Sequence, residues 1–116
     1  MKTNEILFFS PPPAEEGVRR IRPDGGAEDV LYALYANRAA MTEVLSGYWE
    51  CFQGTITVES YPMEEICFIT EGSAVIADRE GKGRTVRPGD VVLIPKGAYS
   101  RWIIPERVKK VYFIAH

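Results

Sequence analysis

Hydrophobic residues in the second half of the chain fall into short runs that are separated by glycine, proline and charged residues. Seven such runs follow Gly54, at residues 55–59, 66–70, 74–77, 84–86, 91–94, 99–104 and 108–114. The segments between them carry turn-forming residues, such as RPGD at 87–90, PKG at 95–97 and PE at 105–106, and each is predicted to be a turn. Many short strands with closely spaced turns are typical of a β-sandwich or a β-barrel. The pattern therefore predicts an all-β fold, and the uniformly apolar run 91–94 predicts a strand that is buried on both faces.

The region before these runs, residues 29–52, allows two interpretations. Val30, Leu31, Leu34 and Tyr35 are spaced as on an amphipathic helix. Two strands, 30–36 and 42–52, are favoured because the second ends in the aromatic-rich sequence GYWECF. We predict the two strands and keep the helix as the alternative.

The first 26 residues show neither the two-residue period of a strand nor the 3.6-residue period of a helix. They contain three consecutive prolines at 11–13 and two glycines at 25–26. We predict an extended N-terminal arm, residues 1–28, followed by one domain at 29–116. The apolar run 6–9 is expected to pack on that domain or on a second subunit.

Length and charge narrow the classes of partner. The 116 residues fit one domain with a single core. Fourteen lysines and arginines stand against sixteen aspartates and glutamates, for a net charge of −2, so no nucleic-acid partner is expected. The run 6–9 is too short for the core of a signal peptide and no stretch could span a membrane, which favours a cytoplasmic protein with no membrane partner. Cys51 and Cys67 are then expected to be buried free thiols.

Two spaced motifs resemble those of the cupins. In the first cupin motif a glycine precedes a His-x-His pair, which is followed by a glutamate and, seven residues later, a second glycine. Here Glu65 and Gly72 have that spacing, and Gly54 stands ahead of them. Glu59 and Tyr61 occupy the positions of the two histidines.

The second motif is GDVVLIPKG at 89–97, with Ser100 at the histidine position. Together with GYWEC at 47–51, EEICFITEG at 64–72, SRWII at 100–104 and VKKVY at 108–112, it makes the chain similar to the small single-domain cupins grouped with ureidoglycine aminohydrolase and the ethanolamine-utilisation cupin domains. The resemblance spans residues 44–114. It implies a double-stranded β-helix, or jelly-roll, barrel that forms a homodimer.

The same resemblance would imply a metal held by histidines, but the only histidine is His116. We therefore expect no metal cofactor. Glu59 and Glu65, with Tyr61 or Ser100, leave open a weak site for a hard divalent cation such as Mg²⁺ or Ca²⁺.

A two-residue period predicts which side chains share the inner face of the barrel. The predicted pocket consists of Glu59, Tyr61, Glu65, Ser100, Trp102, Lys110 and Tyr112. Glu65 is the candidate general base, Tyr61 its hydrogen-bonding partner, and Lys110 a group that orients an anionic or carbonyl substrate. The simpler alternative is that Glu65 and Lys110 only pair with each other and that Trp102 fills the core.

Three hypotheses about function remain. The first is a metal-independent barrel that binds a small molecule of metabolism. The second is an enzyme acting on a small nitrogen-containing metabolite, an aminohydrolase or an isomerase, with Glu65 as base or weak metal ligand. The third is a dimerising scaffold with a filled barrel. Whether the protein is an enzyme is left open at this stage.

Overall fold

The computed structural model describes residues 6–22, 27–39 and 42–115. It contains eight β-strands: β1 Val18–Ile21, β2 Glu28–Ala39, β3 Thr42–Val58, β4 Glu64–Gly72, β5 Ala74–Ala77, β6 Gly83–Val86, β7 Val91–Ile94 and β8 Ser100–Ala115. The only helical element in the described ranges is a single 3₁₀ turn at Ala14–Glu16. These ranges therefore contain no helix that is long and apolar enough to cross a bilayer. The all-β prediction is confirmed, as are the two strands β2 and β3 in place of the alternative helix.

The strands form one antiparallel sheet in the order β1-β2-β3-β8-β4-β7, and β5 pairs with both β8 and β6. Strand β8 is central because it pairs with β3, β4 and β5. The pairings do not close into a ring among the described strands, since β1, β6 and β7 each have one partner. The sheet is thus a β-barrel architecture with open edges.

Two predicted interruptions are bulges within long strands. Strand β3 includes the run 42–52 and the run 55–59 up to Val58, and β8 includes the run 99–104 from Ser100 onward and the run 108–114. The prediction of a turn at 105–106 is wrong: the β3–β8 register shifts there, between the pairs Phe52↔Arg107 and Gly54↔Ile104. Pro105 has no N–H to donate to a regular ladder, and a bulge is a place in a sheet that tolerates this.

The inner faces of the strands enclose the core. Strand β4 shows the expected period of two, with Glu65, Cys67 and Ile69 buried between exposed neighbours. Cys51 and Cys67 are buried free thiols, as predicted. Burial raises the pKa of Cys51 to about 12 and that of Cys67 to about 11, so both thiols stay protonated at neutral pH.

An exposed cluster of large apolar side chains lies on the outside of β4, β7 and β8. We call it the outer apolar patch: Ile66, Phe68, Val91, Leu93 and Phe113. Cross-strand pairing joins its members, with Ile66 opposite both Leu93 and Phe113. The prediction that strand 91–94 is buried on both faces is wrong for the single chain, because Val91 and Leu93 are each 58% exposed.

Part of the predicted arm belongs to the sheet. Strand β1 pairs with β2, and upstream of it Pro11 and Pro12 line a small cavity of about 160 Å³ together with Tyr32 and Tyr48. In the apolar run 6–9, Ile6 and Phe8 are 81% and 88% exposed, whereas Leu7 and Phe9 are 39% and 47% exposed and so are partly covered by the chain. The boundary between residues 28 and 29 stays a prediction.

Gly72 offers a test of the close contact between the end of β4 and β8. Its φ is +74°, and a Cβ atom there would lie 1.9 Å from the carbonyl oxygen of Arg107. Gly81 has a similar φ of +85°, but a Cβ atom added there would have no other atom within 4 Å. We expect Gly81→Ala to cost about 1–2 kcal/mol, the penalty of the left-handed conformation, and Gly72→Ala to cost about 1–3 kcal/mol more because of the backbone clash.

Urea unfolding of the two variants beside the parent chain measures this difference. Equal free energies of unfolding for Gly72→Ala and Gly81→Ala would contradict the proposed contact.

Candidate functional site

A cavity of about 410 Å³ lies between the inner faces of β2, β3, β4 and β8. Five residues of the predicted pocket line it: Tyr61, Glu65, Trp102, Lys110 and Tyr112. The other lining residues are mostly apolar: Leu31, Leu45, Trp49, Ile56, Val58, Pro62, Met63 and Ile114, with Arg20 and Arg22 as the charged additions. Its volume is within the range of small-molecule sites in proteins.

The register of β3, β4 and β8 brings the polar side chains of the cavity together. Lys110 of β8 is opposite Trp49 of β3 on one side and Ile69 of β4 on the other. Gly47 makes room for the neighbouring ring, because a Cβ atom there would lie 2.8 Å from the Tyr112 hydroxyl and 2.2 Å from the Tyr32 carbonyl oxygen. The glycine of the GYWEC sequence therefore admits Tyr112 to the cavity wall.

Lys110 and Glu65 form a buried ion pair. The Lys110 Nζ donates to Glu65 Oε2 at 2.5 Å, and their side chains are only 8% and 6% exposed. The same Nζ lies 4.6 Å from the ring centroid of Trp49 and 4.7 Å from that of Trp102. One carboxylate and two indole rings thus surround the ammonium group, which gives it both charge pairing and cation–π contacts.

The environment fixes the protonation of three groups in the cavity. Burial acts to lower the pKa of Lys110, but the adjacent Glu65 carboxylate outweighs it and the pKa of Lys110 is raised. Burial raises the pKa of Tyr61 and of Tyr112, despite the opposing effect of the Lys110 charge. Lys110 is therefore a cation at neutral pH, and both phenols keep their protons and can donate hydrogen bonds.

A second charged cluster continues from Trp49 to β1. Trp49 Nε1 donates to Asp29 Oδ2 at 2.9 Å, and Asp29 is fully buried. Arg20 binds both oxygens of Asp29, through Nε at 2.9 Å and Nη2 at 3.0 Å. Arg22 makes a longer contact, 3.5 Å from Nη1 to Oδ2.

The sequence did not reveal Arg20 and Arg22 as pocket residues because the first 28 residues were predicted to be an arm outside the pocket. Asp29, the first residue of the predicted domain, was missed because its cross-strand partner depends on a register that the sequence does not show. A signal was present: Arg20 and Arg22 are two residues apart, the spacing of one strand face. The register then places Arg20 directly opposite Asp29.

Two residues of the predicted pocket do not line the cavity. The Glu59 side chain is 73% exposed and pairs with Arg79 at 3.2 Å. Ser100 is buried beside Tyr61, close enough to influence the pKa of the phenol. Its Oγ has no hydrogen-bond partner within the described residues, and the same holds for Trp102 Nε1.

The donor set does not fit a metal ion. Within residues 6–22, 27–39 and 42–115 no three His, Cys, Asp or Glu side chains cluster. The two carboxylates considered for a weak divalent site are each held by a different cation, Glu59 by Arg79 and Glu65 by Lys110. The Lys110 ammonium would also repel a divalent cation placed on Glu65.

The family model and the similar solved structures indicate the same protein family. Residues 39–112 match the model of the EutQ-like cupin domain. A DUF861 family protein from Thermotoga maritima is similar in structure, with 34% identity, coverage of 56% of this chain and 73% of that chain, and a TM-score of 0.52. A search of curated proteins found no match.

Two solved structures of EutQ proteins are similar in fold. The ethanolamine utilization protein Q from Salmonella typhimurium LT2 has 20% identity and a TM-score of 0.63, covering 74% of this chain and 68% of that chain. The Clostridium difficile EutQ protein has 17% identity and a TM-score of 0.68, covering 88% and 77%. At these identities the likeness concerns the fold.

The ion pair predicts a large and asymmetric cost of substitution. Lys110→Met leaves the Glu65 carboxylate buried without a partner, so we expect a loss of about 3–5 kcal/mol. The double variant Lys110→Met with Glu65→Leu should lose clearly less, because it buries no charge. Arg19→Ala, which breaks the exposed 2.6 Å pair with Glu28, is the control and should cost about 1 kcal/mol or less.

Urea unfolding at pH 7 measures all three variants. A single variant no less stable than the double variant would show that the pair is not the buried contact described.

Proposed function

Because the chain belongs to the EutQ-like cupin domain family, we propose that its barrel binds a small molecule without the help of a metal ion. The observation that carries this proposal is the cavity of about 410 Å³, in which apolar walls surround a fixed ion pair. Concave, largely apolar sites with a few placed polar groups are the usual form of small-molecule sites. A cavity of this size speaks against a filled barrel that serves only as a scaffold.

The ammonium group of Lys110 supports recognition without a metal. It supplies a permanent positive charge beside Glu65, the glutamate of the first cupin-like motif. Tyr61 and Tyr112 add hydrogen-bond donors to the same cavity. A ligand in the cavity would thus contact the Lys110–Glu65 ion pair and the two phenol groups.

The alternative, an enzyme acting on a small nitrogen-containing metabolite, is less well supported. A general base must be free to take a proton from the substrate. Glu65 instead is bound to Lys110 at 2.5 Å. The grouping with ureidoglycine aminohydrolase therefore stays a resemblance, and no activity is proposed from it.

We also propose that the protein is cytoplasmic and that it has no nucleic-acid or membrane partner. Both cysteines are buried free thiols, which suits a reducing compartment.

Intrinsic fluorescence can test ligand binding directly. Trp49 and Trp102 are the two tryptophans of the chain, and both line the cavity. We expect at least one compound from a panel of small carboxylates, amides and amines to change the emission saturably in the presence of EDTA. Val58→Phe, which adds volume at the cavity wall, should abolish the response, whereas Val18→Phe on exposed β1 should not.

Thermal melting of both variants checks that each is folded. The absence of any saturable response in the parent chain, or an undiminished response in Val58→Phe, would contradict the proposed function.

We also propose that two copies of the chain form a homodimer through the outer apolar patch. Five large apolar side chains on one sheet face are a poor match for solvent. Phe68 and Phe113 stack edge to face within the patch, with centroids 6.1 Å apart. An apolar sheet face of this kind can pair with itself across a twofold axis, so a second copy is the simplest partner.

Charged substitutions test this interface. Phe68→Lys combined with Leu93→Lys should convert a dimer into a monomer at micromolar concentration, as measured by analytical ultracentrifugation. Val18→Lys introduces the same charge at an exposed site outside the patch and should leave the dimer intact. A parent chain that sediments as a monomer, or a double variant that remains dimeric, would rule out the proposed interface.

A further inference from the structure

Two guanidinium groups from the β1 segment reach the more exposed end of the cavity. Arg20 and Arg22 both line it, and their side chains are 41% and 29% exposed, against 8% for Lys110. We propose that this end binds the carboxylate of a ligand, with Arg22 as the principal contact, and that the preferred ligands are small monocarboxylates with an apolar body. This inference rests on the proposed function, that the cavity binds a small molecule.

Among the described residues, the charges around the cavity leave one cation without a full partner of its own. Lys110 is matched by Glu65, and Arg20 is matched by Asp29. Within the described ranges, the guanidinium of Arg22 pairs only with the Asp29 carboxylate, whose charge is already paired with Arg20. A ligand with one negative charge would therefore complete the charge balance of the site.

The hydrogen-bond geometry singles out Arg22. Arg20 directs its Nε and Nη2 at Asp29 at 2.9 and 3.0 Å, so one edge of its fork is already occupied. Asp29 Oδ2 accepts from Arg20 and from Trp49 Nε1, and the 3.5 Å contact with Arg22 Nη1 is at the limit of a hydrogen bond. The guanidinium of Arg22 thus keeps donors for a planar carboxylate, the group that its fork fits best.

The other lining residues indicate which kind of group carries the carboxylate of the proposed ligand. Five aliphatic side chains and one methionine line the space: Leu31, Leu45, Ile56, Val58, Ile114 and Met63. An apolar body would be buried there beside the indole rings of Trp49 and Trp102. An ammonium ligand would place a like charge near Arg20, Arg22 and Lys110, which is unfavourable.

Matched probes that differ only in the charged head group test the inference. Phenylacetate, phenylacetamide and 2-phenylethylamine form one set, and hexanoate, hexanamide and hexylamine form the other. Tryptophan fluorescence titrations at pH 7.5 should show the acid binding about 10- to 100-fold more tightly than the amide, the range of a charge-assisted hydrogen bond. The amine should bind most weakly.

Arg22→Gln should remove the preference for the acid while it changes amide binding less than about twofold, since the apolar cavity is kept. Arg22→Lys should restore part of the preference because it keeps the charge without the fork. Arg19→Gln is the matched control, because Arg19 is on the same segment, in β1, but pairs with Glu28 and does not line the cavity.

The outcomes separate the two proposals. Amides or amines that bind as well as the acids would overturn the carboxylate assignment and leave small-molecule binding intact. Acids that keep their full preference in Arg22→Gln would overturn the role of Arg22. If no probe of either set binds the parent chain, the carboxylate proposal fails, and the broader panel with Val58→Phe decides whether the proposed function fails with it.

Discussion

The buried contact between Lys110 and Glu65 is the constraint on which the interior of this barrel depends. Two charges removed from water lose several kcal/mol of solvation each, and only a close partner and further polar contacts offset that loss. Here the partner is at 2.5 Å, and the π faces of Trp49 and Trp102 provide the further contacts. The pair holds only if β3, β4 and β8 keep their register, because each strand contributes one wall of the enclosure.

The same constraint extends beyond the central strands. Trp49 can face Lys110 in one orientation because its Nε1 is tied to Asp29. Asp29, fully buried, is in turn neutralised by Arg20 of β1. A strand that precedes the region matched by the family model thereby becomes part of the cavity. The N-terminal segment contributes both to the stability of the site and to its charge.

Much of this could be predicted from the sequence, and the failures have physical causes. Turn residues and alternating burial are local properties, so the strands and the inward positions of Glu65, Trp102, Lys110 and Tyr112 could be predicted. Glu59 follows the last residue of β3, where no ladder fixes the direction of a side chain, and Arg79 holds it outside. Strand 91–94 has the composition of a core strand, but composition alone does not distinguish a core strand from one with an exposed apolar face. The Arg20–Asp29 contact depends on pairing between segments whose register the sequence does not reveal.

The two ends of the cavity differ in how strongly a substitution there would affect the stability of the fold. Lys110 and Glu65 belong to the core as well as to the candidate site, so a substitution of either residue also affects folding. Arg22 is partly exposed, and within the described ranges its guanidinium makes one long ion-pair contact, so its replacement is expected to cost the fold little. Under the proposed function, ligand choice would be set at the β1 end of the cavity, where a substitution leaves the inner ion pair in place. A bound metal would impose a stricter requirement, since several ligands must be kept together for any affinity to remain. The Lys110 cation is held by one carboxylate and the faces of two indole rings.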